Sequence, residues 1–103
     1  MRQRFMIAAD GMSADAEKSM LAFFKEHGLG WWHRIPNFWL ITDPRGNMTA
    51  TVLRDKIQDL RSPGAKATLV MQIHEDITWA GLYPDGDSKH DEFDWLNQTW
   101  TKD

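Results

Sequence analysis

The chain has 103 residues, a formal net charge of −3 and no cysteine. One domain is the natural count for this length, and such a chain buries a core without disulfides or metals. The missing cysteines exclude a disulfide framework, thiolate zinc sites and a thiol nucleophile, and the acidic balance gives no basic block for nucleic acid, whose affinity comes mostly from neutralised phosphates. Arg2, Arg4, Arg54, Lys56 and Arg61 can still gather in space, so nucleic acid stays a possible partner that charge does not support.

Taken in chain order, Arg4 to Ala9 is a short apolar run closed by Asp10-Gly11, a turn signal; it reads as a first strand. It is too short for a signal-peptide core, and no apolar run nears the roughly 20 residues of a membrane span. The expectation is a cytoplasmic protein with no membrane partner. Ser13 is a good N-cap, with Asp15 and Glu17 in the first turn behind it. Ala16, Met20, Phe23, Phe24 and His27 then recur at helical spacing, and Gly28 stands where a C′ glycine stops a helix.

Trp31 to Ile35 and Phe38 to Thr42 are aromatic and β-branched runs around Pro36-Asn37, which predicts a hairpin. Asp43 to Asn47 is a loop by composition. Asn47 or Thr49 can cap a second helix, with Met48, Val52, Leu53, Ile57 and Leu60 as its apolar positions and Ser62-Pro63-Gly64 as its stop. Ala67 to His74 reads as a fourth strand, with Leu69, Met71 and Ile73 on one face. Beyond it, residues 77–83 suit a fifth short strand or an extended segment. Ser88 to Trp100 suits a terminal helix carrying Phe93, Leu96 and Trp100.

The order is β-α-β-β-α-β, an α+β ferredoxin-like domain over 1–103, with a core at 3–75 and a C-terminal extension at 76–103. Its sheet order is 4-1-3-2, with both helices on one face. Strands 1 and 3 are read as central and parallel. Trp31 and Trp32 are consecutive, so they point to opposite faces, and strands 1 and 4 carry apolar residues on both sides. The helix-free face therefore needs a cover, from residues 77–103, from a second subunit, or from both. A homodimer is expected, with Trp32, Trp39, Trp79 and Trp100 as its interface residues.

Trp31-Trp32-His33, Asn37-Phe38-Trp39-Leu40-Ile41, Leu53-Arg54-Asp55-Lys56-Ile57, Leu69-Val70-Met71-Gln72-Ile73 and Thr78-Trp79-Ala80-Gly81 together resemble the SinR-like family of short bacterial and phage-borne proteins. That family looks like a relative of the small ferredoxin-like CRISPR-associated endonucleases and of the virulence-associated D toxins. The resemblance implies a homodimer. It also implies that the carboxylate closing strand 1, here Asp10, holds magnesium at the dimer interface. The chain departs from the pattern in having Ala8-Ala9 before Asp10, where those relatives tend to carry a tyrosine, and Gly11-Met12 after it.

Asp10 is the best candidate for chemistry. With strands 1 and 3 read as parallel, Asp43 reaches the same sheet edge, and two carboxylates there suit Mg²⁺, which takes oxygen ligands and activates water. The competing reading is that Asp-Gly and Asp-Pro are simply turn dipeptides. His33 and His74 read as partly buried structural imidazoles, His74 at the end of the sheet away from Asp10. His27 reads as a charge on a helix C-terminus. Asp85, Asp87, Asp91, Glu92 and Asp94 lack the spacing of a calcium loop. Exposed tryptophans would suit nucleobase stacking, but without interleaved cations core or interface packing is preferred. The favoured function is a non-catalytic homodimeric interaction or regulatory module without a cofactor; the alternative is a Mg²⁺-dependent endonuclease.

Overall fold

In the computed structural model, residues 2–60, 67–74, 80 and 95–100 are described. The elements are β1 (Gln3–Ala9), α1 (Ala14–Glu26), β2 (Gly30–Ile35), β3 (Phe38–Asp43), α2 (Ala50–Leu60), β4 (Thr68–Ile73) and a terminal π-helical turn (Leu96–Trp100). The four strands form one antiparallel sheet in the order β2-β3-β1-β4, the ferredoxin-like arrangement. Trp79, the rest of residues 77–83 apart from Ala80, and the start of the expected terminal helix lie outside the described residues.

Local chemistry sets the element ends. The Ser13 Oγ accepts from the Ala16 N–H at 3.0 Å, an N-cap bond that opens α1. At its other end Gly28 takes φ +69°, the Leu29 N–H reaches the Phe24 carbonyl at 2.9 Å, and the Gly28 N–H reaches that of Lys25. These are the two bonds of a Schellman motif, and the left-handed backbone is why glycine stands there. Pro36 and Asn37 form the hairpin turn, with Asn37 at φ 64°, the proline-then-positive-φ pattern of a type II turn. Thr49 caps α2 through a bond from the Val52 N–H to its Oγ1.

Strand alternation divides the apolar residues between two clusters. Phe5, Ile7, Ala9, Trp39 and Ile41 face the helices and pack with Met20, Phe24, Leu53 and Ile57. On the helix-free face Trp32 and Leu40 pack with Leu96 and Trp100, bordered by Met6, Phe38, Ile73 and Trp95. Trp31 joins the helix-side core, so the two adjacent tryptophans do point to opposite faces. Val52, expected on the buried side of α2, is instead exposed, because Leu53 and Ile57 fill the contact with the sheet.

The terminal turn is held in place by polar bonds as well as by packing. Arg2 donates to the Thr99 carbonyl, Arg4 donates to the Trp100 carbonyl at 3.1 Å, and the Trp100 indole N–H donates to the Ile41 carbonyl at 3.3 Å. Two guanidinium groups thus meet carbonyls at the end of a helical turn, where positive charge is favoured. This part of the extension covers part of the helix-free face from within the chain.

Strands β1 and β3 run antiparallel, pairing Gln3 with Asp43 and Ala8 with Phe38. The parallel reading is corrected: a helical crossover leaves β1 and β2 running the same way, and the hairpin then reverses β3.

Trp100→Ala should lower stability by about 3 kcal/mol, the scale of a large aromatic deletion from a core. Urea unfolding followed by far-UV circular dichroism measures it. A loss within about 0.5 kcal/mol, the range of an unremarkable surface change, would show the turn to be merely draped on the sheet.

Candidate functional site

The antiparallel register separates the two carboxylates expected to form a site. Asp10 follows the end of β1, beside the Pro36–Asn37 turn, while Asp43 ends β3 opposite Gln3, at the other end of the sheet. No Mg²⁺ site can join them within one chain. Among the described residues no group of three or more histidine, aspartate or glutamate side chains is placed to hold a metal ion. The residues present therefore do not fit the two-carboxylate magnesium site.

Asp43 is 1% exposed, and its carboxylate braces the loop that follows β3. One oxygen accepts the Arg45 N–H at 3.0 Å and the other accepts the Met48 N–H at 2.7 Å. Its carbonyl accepts from Gly46 N–H, and Gln3 Nε2 donates to the Gly46 carbonyl at 3.1 Å. Bonds to an ionised acceptor are the strong kind, and here they fix the approach to α2. The turn-aspartate reading describes this residue.

Asp10 is exposed, and its backbone N–H donates to the Ala67 carbonyl at 2.9 Å. The Ala9 N–H likewise donates to the Asn37 carbonyl, so the end of β1 is tied to both neighbouring connections. Beside Asp10 lies an open hollow of about 270 Å³ lined by Ala8, Ala9, Asn37, Ala67, Thr68 and Leu69. Its walls are apolar apart from Asp10, Asn37 and Thr68, with no second acid among them.

His33 is partly buried, as expected. Its Nδ1 lies 2.8 Å from the Phe38 carbonyl, which only accepts, so that nitrogen carries the hydrogen. Its ring stacks on Trp39 with centroids 4.2 Å apart, and its Nε2 lies 3.3 Å from Glu17 Oε1 on α1. The imidazole is a strut between β2, β3 and α1. His74 is exposed rather than partly buried, because it lies just beyond the last paired residue of β4.

The four tryptophans named for an interface separate. Trp39 is fully buried against the helices, leaving it no surface to offer a second subunit; an inward place in a central strand accounts for this correction. Trp32 and Trp100 are buried against each other's cluster within the chain. Among the described residues, the large apolar side chains of the sheet left exposed are Leu69 (56%) and Met71 (46%) of β4 and Ile35 (46%) at the end of β2. The sequence places Leu69 and Met71 on a shared face and gives no sign of which face that is.

The chain matches no family model, no curated protein and no solved structure.

Asp43→Ala should cost about 2–4 kcal/mol, since it leaves the buried Met48 N–H and the partly buried Arg45 N–H without their carboxylate acceptor. Asp10→Asn should stay within about 1 kcal/mol, as for an exposed charge. Thermal and urea unfolding of the pair measures the contrast, and equal losses would contradict the roles assigned to the two residues.

Proposed function

We propose that this chain is a small homodimeric interaction or regulatory module without catalysis. The observation that carries the reading is the state of the helix-free face. Part of it is covered by Leu96 and Trp100 of the same chain, whereas Leu69 and Met71 stay about half exposed on a strand that pairs on one side only, among the described residues. A second copy set beside that strand would reduce the exposure. A symmetric dimer is also the commonest form of oligomer. Resemblance to the SinR-like proteins supports the same state.

The dispersal of the acids supports the absence of chemistry. Asp43 is committed to backbone donors, and Asp10 has no second carboxylate in the hollow beside it. A magnesium-dependent nuclease of this fold would have to draw its remaining oxygen ligands from water, substrate or a second copy.

Sedimentation velocity over a wide concentration range should show a reversible monomer–dimer equilibrium, and a strict monomer at the highest concentration would refute the reading. Calorimetric titration with Mn²⁺ should give no saturable binding. Micromolar binding that is lost in Asp10→Ala, together with metal-dependent cleavage of RNA or DNA, would establish the nuclease instead.

A further inference from the structure

The sheet has two edge strands, β2 and β4, and they differ in how they are guarded. Exposed strand edges are templates for pairing, and proteins blunt them with bulges, charges and prolines. β2 has all three: its register against β3 shifts between Trp32 and Ile35, it carries Arg34, and it leads into Pro36. β4 has none. Thr68–Ile73 contains neither a charged residue nor a proline, and its register against β1 runs unbroken from Ile73 opposite Arg4 to Thr68 opposite Ala9. Among the described residues β4 pairs with β1 alone.

The same strand bears the exposed apolar pair. Leu69 and Met71 alternate with Val70, which packs towards the helix-side core, so both stand on the helix-free face. Ala8, paired with Leu69 on β1, is exposed beside them. Water-facing apolar side chains and outward-facing backbone donors and acceptors therefore coincide on one strand.

We infer that β4 is the dimer edge: two copies pair their β4 strands antiparallel about a two-fold axis perpendicular to the sheet, joining both sheets into one. This rests on the homodimer reading and specifies its contact. Such an axis keeps each face on its own side, so both helix layers lie together and the helix-free faces are continuous. It allows Val70 to meet its own copy, with Leu69 against the partner's Met71. It equally allows Met71 to meet its own copy, with Leu69 against the partner's Ile73. Both registers set Leu69 and Met71 against apolar residues and oppose no like charges within β4. A second copy is the occupant that this edge fits without further assumption, because the contact is self-complementary: the same uncharged residues furnish both sides.

The chain has no cysteine, so a single introduced thiol reports one position. A residue on the axis faces its own copy with Cβ atoms about 5 Å apart, close enough for a disulfide with little adjustment. Val70→Cys or Met71→Cys should therefore form a covalent dimer on mild oxidation, and Arg34→Cys on β2 should not. Leu69→Lys and Met71→Lys, at positions already half exposed, should each retain the far-UV spectrum and weaken the dimer by roughly tenfold or more in sedimentation. A dimer that cross-links only through position 34, or that both lysine variants leave unchanged, overturns the β4 contact while homodimerisation stands. A wild-type chain that stays monomeric overturns both, and one that is monomeric alone but captures an added extended peptide on β4 replaces the second copy with a foreign strand.

Discussion

A single β-sheet with apolar residues on both faces must be covered twice, and two helices cover it once. That constraint organises the molecule. Strand alternation sends Phe5 and Ile7 to one side and Met6 and Ala8 to the other, and the same split separates Trp31 from Trp32. The helix layer closes one face around Met20, Phe24, Leu53 and Ile57. For the other face the chain turns to its own C-terminal residues. Leu96 and Trp100 supply bulk, and Arg2, just before the central strand, and Arg4, on it, hold the backbone carbonyls of Thr99 and Trp100. Polar anchoring matters here because a turn of five residues has little intrinsic stability and depends on tertiary contacts.

Strand direction decides which side chains can meet. Asp10 and Asp43 look equivalent as turn aspartates, each behind an apolar run, and a parallel β1–β3 pair would bring them together. The antiparallel pair puts the length of the sheet between them. What remains at Asp43 is a buried carboxylate serving two backbone amides, and at Asp10 a turn residue fastened through its backbone. The same reversal accounts for the bond between Ala9 and Asn37, since the hairpin turn returns to the end of β1 where Asp10 begins.

The legible parts of the sequence were those written in local chemistry. Ser13, Gly28, Pro36-Asn37 and Thr49 mark the element ends through caps and turns, each recognisable from a few neighbouring residues. Periodicity similarly placed Met20, Phe24, Leu53 and Ile57 in the core. The β1–β3 direction is also implicit in the sequence, because a crossover followed by a hairpin permits only one sense, and only the opposite, parallel sense would pair Asp10 with Asp43. Other features were not available at all. Val70 and Leu69 are both apolar, and alternation cannot say which of them meets the helices. Arg2 and Arg4 share a strand face by their spacing, but their partners are carbonyls nearly the whole chain away. Trp39 likewise carries no mark distinguishing a core indole from an interface one; its place in a central strand makes that choice.

The size of the uncovered patch sets the strength of any association built on it. Leu69 and Met71 are each about half exposed, so a symmetric edge contact shields at most four half side chains from water. At about 1 kcal/mol for each, the gross apolar gain is roughly 4 kcal/mol, at the low end of the 4–15 kcal/mol that association costs in lost translational and rotational freedom. The apolar strip alone does not hold two copies together. The balance must come from the backbone bonds of the joined strands and from surfaces that approach beside them, including α2, which packs over β4 and contacts it through Gln58 and Thr68. An interface of that kind is reversible and sensitive to a single charge placed at its centre. On the proposed dimer the unguarded edge of β4 has a physical rationale: a lysine there would protect the monomer from unwanted pairing, and it would remove the contact through which we propose the two sheets join.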